Sequence, residues 1–174
     1  DAASPLALVA GTVDEEVRSK VANAFHIESH RSYDQDPRLG MIALSEIASR
    51  ALSPSTNDPG TAIDVLAALS RVFENMLQTE ADDDTPYGHV TVEPVTLGDL
   101  VEDAFRPIAR DGAGVVEVGI RLQKTLASLA DLAGPARGRP FTDAATDARA
   151  RAQRVLSRSD AVALRRAASA APRR

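Results

Sequence analysis

Cysteine is absent from this 174-residue chain, which excludes thiolate metal sites, iron–sulfur clusters, disulfide scaffolds and cysteine nucleophiles. Tryptophan is absent too, and aromatics are 3% of residues, too few for the stacking platform on which single-stranded nucleic acid is bound. No uninterrupted apolar run exceeds five residues, as in Leu6 to Ala10, whereas a helix needs about 20 to cross a bilayer. The nucleophile elbow, the phosphate-cradling P-loop, the dinucleotide glycine fingerprint and the His-Glu-x-x-His zinc motif are all missing. Lysine occurs only as Lys20 and Lys124 beside eighteen arginines and thirty-one alanines, a usage that points to a GC-rich bacterial gene.

What remains is an ordinary globular composition, 44% hydrophobic and 26% charged, at a length that suits one domain. A chain of this size hides roughly 70% of its extended surface on folding, so it needs neither metal nor cross-links to hold a core. It begins at Asp1 without a signal-peptide pattern and is expected to be a piece of something longer.

Helix signals dominate. Thr12 with Glu15 makes a capping box, and Val13, Val17, Val21, Ala24 and Phe25 recur at helical spacing, predicting a helix over about 13–29. Asp36-Pro37 and Asp58-Pro59 each set an N-cap before the one helical position that welcomes proline, predicting helices to about Leu52 and Gln78. Both are apolar over more than half their circumference, which predicts that they pair as the buried centre of the domain. An acidic, turn-rich stretch over 80–88 separates two halves, and the alternation over His89–Val95 reads as a short strand whose best partner is Leu6–Val9. Thr96 with Asp99 starts a fourth helix that Gly112 ends, Val115–Leu132 form a fifth, and Gly134-Pro135 and Gly138-Arg139-Pro140 break the chain before a last helical region from Thr142 to about Ser169. Ser157 and Asp160 offer a separate start within it. The expected fold is mainly α: a compact bundle of about six helices with a minor two-stranded β element, one domain over residues 1–174.

Charge is uneven. Residues 1–117 hold 21 acids and 8 bases, net −13, and residues 118–174 hold 4 acids and 12 bases, net +8, so the halves are expected to attract. On one continuous helix, Arg151, Arg154, Arg158 and Arg165 of the basic 141–169 region fall within about 60° of arc, at 100° per residue. A basic helix folded against an acidic core is the simplest reading; a surface for anionic lipid headgroups is the second, and the acidic total argues against nucleic acid.

Two polar constellations carry chemical potential. His26, His30 and Asp34 lie at steps of four, a spacing at which two histidines on a helix share a metal, although a solvated polar stretch explains them as well. The denser group flanks the second helix: Arg31, Gln35 and Asp36 before it, and Ser53, Asn57, Asp58 and Thr61 after it. Capping and loop bracing account for these residues, and a ligand pocket is the alternative; a helix of that length keeps the two clusters roughly 21–24 Å apart. Glu46 and Arg50 have the order and spacing of a surface ion pair.

The run Arg31-Ser32-Tyr33-Asp34-Gln35-Asp36-Pro37-Arg38-Leu39-Gly40, then Glu46-Ile47-Ala48 and Ala51-Leu52-Ser53-Pro54-Ser55-Thr56-Asn57-Asp58-Pro59-Gly60-Thr61-Ala62, resembles the bacterial membrane-protein family catalogued as domain of unknown function 2254. Ser4–Val9 and Asp103-Ala104-Phe105-Arg106-Pro107-Ile108 extend the likeness over about residues 4–133. It departs from the family's wording at Ser32, where threonine is commoner, and at Ser55-Thr56, where Gly-Ile is commoner. The resemblance implies a multi-span membrane region preceding a soluble, cytoplasmic-side domain, with that membrane region as its partner and self-association as a further option. It implies no catalytic residues and no cofactor. The resulting expectation is a non-enzymatic interaction or regulatory domain of a bacterial membrane protein; a sensor for a small polar ligand or ion, or a metal-dependent hydrolase, are the alternatives.

Overall fold

A computed structural model describes residues 5–25, 29–34, 36–79, 90–91 and 94–169. Among them, seven helices follow one another: α1 (Glu15–Asn23), α2 (Pro37–Ala51), α3 (Pro59–Gln78), α4 (Leu97–Asp111), α5 (Val116–Arg137), α6 (Arg139–Gln153) and α7 (Arg158–Ser169). Strands β1 (Leu8–Val9) and β2 (Val90–Thr91) pair antiparallel, with Leu8 opposite Thr91 and Val9 opposite Val90. The expected two-stranded element is therefore present in that register.

Local chemistry starts most of these helices. Asp36 accepts from the backbone N–H of Leu39 at 3.1 Å and Asp58 from that of Thr61 at 3.1 Å, with proline at the first helical position in each case. Thr96 and Asp99 close a full capping box on α4. Gly134, at φ 70°, takes a left-handed conformation that breaks α5 before Pro135, where glycine is the residue of least cost.

Five helices close into a ring in the order α2, α3, α5, α6, α4, and α7 packs on α5. Inside the ring, Phe73 of α3 stacks on Phe105 of α4 at 5.4 Å and meets Phe141 of α6 edge-on at 5.4 Å, all three buried. Leu66, Leu69, Ile108, Leu126 and Leu129 fill in around them.

Two expectations change. The α2/α3 contact forms, but the pair is not the centre: α2 leaves Ile47 49% exposed, and the core is shared with α4, α5 and α6. The wide apolar arc of α2 is only partly used: Met41, Ser45, Ala48 and Ala51 are buried, while Ile47 faces outward. The first helix is shorter than 13–29: Asp14, not Thr12, caps it by accepting from the Val17 N–H at 2.8 Å, and none of its residues is buried. A short helix that buries no residue is only marginally stable in water, because most helical stability comes from tertiary packing. The last helical region divides at the separate start that Ser157 and Asp160 offered: the Ser157 hydroxyl accepts from the Asp160 N–H at 3.2 Å and begins α7 anew.

Two stability measurements check this packing. Phe141→Ala is expected to cost about 3–5 kcal/mol by urea denaturation, since it empties the place where three helices meet. An added Cβ at Gly138 would sit 2.6 Å from the Ala130 carbonyl oxygen, so Gly138→Ala lowers the melting temperature; Gly40, with nothing within 4 Å, gains about 0.5–1 kcal/mol on conversion to alanine.

Candidate functional site

The polar clusters lie at the two ends of α2. At its start, Arg31 donates from Nε to Asp36 at 2.5 Å, while the other oxygen of Asp36 takes the Leu39 N–H. Tyr33 is 67% exposed beside them, and Gln35 lies outside the described residues. At the far end, Ser53 donates to the Arg50 carbonyl at 2.7 Å, its hydroxyl oxygen lies 3.2 Å from Thr56 Oγ1, and its own carbonyl accepts from the Thr56 and Asn57 N–H groups. Asn57 takes φ 47°, a left-handed conformation that asparagine tolerates well, and the Asp58 N–H then reaches back to the Ala51 carbonyl at 2.8 Å. Asp58 completes the turn by accepting from both the N–H and the hydroxyl of Thr61, the latter at 2.6 Å. A 15-residue helix, about 22 Å long, stands between the two clusters, and the structure does not bring them together.

Electrostatics agree with bracing. Arg31 beside Asp36, and next to it the Leu39 N–H, hold that carboxyl below the usual carboxylate range; the hydroxyl and N–H of Thr61 do the same for Asp58, and those of Thr96 for Asp99. A general acid at neutral pH requires the opposite shift.

His30 and Asp34 fall in an irregular segment rather than on a helix, because α1 stops at Asn23, so the spacing of four no longer aligns them. His30 Nδ1 lies 2.8 Å from the Ser29 hydroxyl, and His26 lies outside the described residues. Among the described residues no three His, Asp or Glu side chains gather at metal-binding distance.

Among the described residues, the ion pairs that join distant helices are those of Arg38, and they have no local signature in the chain. Arg38, in the first turn of α2, donates from Nε and a terminal nitrogen to both oxygens of Asp103 on α4, at 2.6 and 3.1 Å, with Asp99 4.0 Å away. The partners stand 65 residues apart, and periodicity gives no hint of their meeting. A fork matched to a carboxylate fixes the relative rotation of α2 and α4. Glu46 forms no ion pair with Arg50 among the described residues; it lines a cleft between α2 and α4 with Ser45, Ser49 and Arg110. Asp111 is held below the usual carboxylate range, chiefly by Arg110, with the Ser49 hydroxyl adding a smaller effect without a hydrogen bond of ordinary geometry.

The expected attraction between acidic and basic halves is not realised as ion pairs among the described residues, although α3 packs on α5 and α4 on α6. Among the described residues the ion pairs are within one helix or its entry loop, such as Arg106–Glu102, Arg139–Asp143 and Arg151–Asp147, or join α2 to α4. The basic C-terminal helices dock instead through Phe141, Ala148, Ala152 and Leu164. Arg151 lines an α4/α6 cleft of about 510 Å³ with Phe105, Leu126 and Arg139, whereas Arg158 and Arg165 lie on α7; the break before α7 divides the single stripe of four arginines.

A helical ring whose polar corners serve as caps and clamps is a mainly α module built to hold its shape. The chain belongs to the family described as predicted membrane protein (DUF2254), whose model matches residues 1–128. It is 48% identical over 56 residues to the uncharacterized proteins Mb1321c of Mycobacterium bovis and Rv1290c and MT1328 of Mycobacterium tuberculosis. The match spans 32% of this chain but only 11% of each relative. No solved structure matches significantly. No helix among the described residues is long and apolar enough to cross a membrane.

The depressed carboxyls predict acid sensitivity. Their folded pKa values lie below the ordinary 3.8, so their stabilisation is complete above that pH and is lost as pH falls through the depressed values. Melting temperature is expected to fall between about pH 4 and about pH 2, and Asp58→Asn, which keeps an accepting oxygen but no charge, flattens part of that fall.

Proposed function

We propose that this chain is a non-enzymatic interaction or regulatory module of a bacterial integral membrane protein, a soluble body on the cytoplasmic side beside a membrane region of the same polypeptide. The observation that carries the reading is the use made of Arg31, Asp36, Ser53, Asp58 and Thr61: each is engaged in closing a helix end or bracing a loop. Side chains spent in this way hold a rigid shape, and a rigid shape acts through its surfaces. The family's description supplies the membrane setting. A sensor for a small ligand is the second reading, favoured by the α4/α6 cleft, whose size lies in the range of ligand pockets.

The test is fractionation of cells that express the complete reading frame. The protein is expected in the membrane pellet after alkaline carbonate washing, with this region protected from protease in spheroplasts and cleaved once they are lysed. Release into the carbonate wash overturns the membrane setting, and cleavage in intact spheroplasts overturns the side.

A further inference from the structure

We propose that the outer face of α7 and the turn before it form a docking surface for anionic membrane lipid. The proposal rests on the membrane-protein reading above. Residues 154–169 carry four arginines, Arg154, Arg158, Arg165 and Arg166, against the single acid Asp160, a local net of +3 in a chain whose total is −5. All four are exposed, and none pairs with an acid among the described residues. Asp160 is turned to its own helix start, where it accepts from Ser157 at 2.8 Å.

The geometry makes this a face rather than a scatter. At 100° per residue, Arg158, Val162, Arg165 and Arg166 project within about 100° of arc, while Leu164 points away into α5 against Gly119. Val155 in the turn is 61% exposed and Val162 on the arginine face 37% exposed, so along the segment exposed apolar groups alternate with guanidinium groups. That alternation suits a bilayer interface: valine reaches the boundary of headgroup and acyl chain, and arginine forks onto lipid phosphate. The long-range field has the matching sense. Residues 1–117 carry net −13, so an anionic sheet repels that half and turns α7 toward itself. Nucleic acid is disfavoured, because the face offers no aromatic side chain for bases to stack on. Arg151 does not belong to the surface, being paired with Asp147 at 2.8 Å beside the α4/α6 cleft.

Co-sedimentation of the 174-residue chain with vesicles tests this. Equal parts phosphatidylglycerol and phosphatidylcholine are expected to bind it at about 0.05 M salt, with binding lost at about 0.5 M and on pure phosphatidylcholine. Arg158→Gln, Arg165→Gln and Arg166→Gln each weaken binding about fivefold, and the triple variant abolishes it. Arg151→Gln changes it less than twofold. Melting temperatures of all four single variants stay near that of the parent, since Arg158, Arg165 and Arg166 pair with no acid among the described residues and a solvent-accessible pair such as Arg151–Asp147 contributes little. Parent-like binding by the triple variant, an equal loss in Arg151→Gln, or tighter binding to a single-stranded RNA oligonucleotide than to these vesicles each overturns the assignment. Should the complete protein still pellet with membranes, only the role of α7 falls; should it not, the membrane setting falls separately.

Discussion

Three phenylalanines hold the ring shut. Of the four in the chain, Phe73, Phe105 and Phe141 come from α3, α4 and α6 and meet at ring-centroid distances of 5.4 Å, so three helices share one buried aromatic centre. Scarcity raises the stakes: most of the remaining core is alanine, valine and leucine, and no other side chains there offer comparable buried area. Each of the three needs the other two helices in place before it is covered. The order α2, α3, α5, α6, α4 is the arrangement that meets this need.

The polar chemistry is fitted around that centre. The connection from α2 to α3 is short, so its backbone groups must be satisfied locally, and Ser53, Asn57, Asp58 and Thr61 do so within one tight turn. Arg38 and Asp103 then tie α2 to α4 and set its rotation. Gln123, buried on α5, donates to the Ala145 carbonyl of α6 at 2.9 Å and serves the same purpose on the other side. With caps and clamps consuming the best-placed polar groups, the surface becomes the part of the module free to meet something else.

Much of this was legible from residue order. The starts of α2, α3 and α4 were readable because a cap and the N–H it accepts from lie three residues apart, and the Gly134-Pro135 break because two residues with opposite conformational demands stand together. The likeness carried by Arg31–Gly40 and Ala51–Ala62 also pointed to the family that the full comparison shows. The bracing clusters were placed correctly at opposite ends of α2, since helix length alone separates them. Three readings went astray where they depended on neighbours. The stripe of four arginines assumed a continuous helix, the attraction of the charged halves assumed ion pairs between them, and the length of α1 assumed packing it does not have.

Caps, breaks and apolar periodicity act within a few residues, so the sequence by itself determined where most helices begin, where the last region divides and that the fold is mainly α. Which helices touch was decided only in the tertiary structure. The Arg38–Asp103 fork, the phenylalanine centre and the separation of Arg151 from Arg158 and Arg165 join or part residues by packing, which depends on the shapes of whole helix faces and leaves no mark in local spacing.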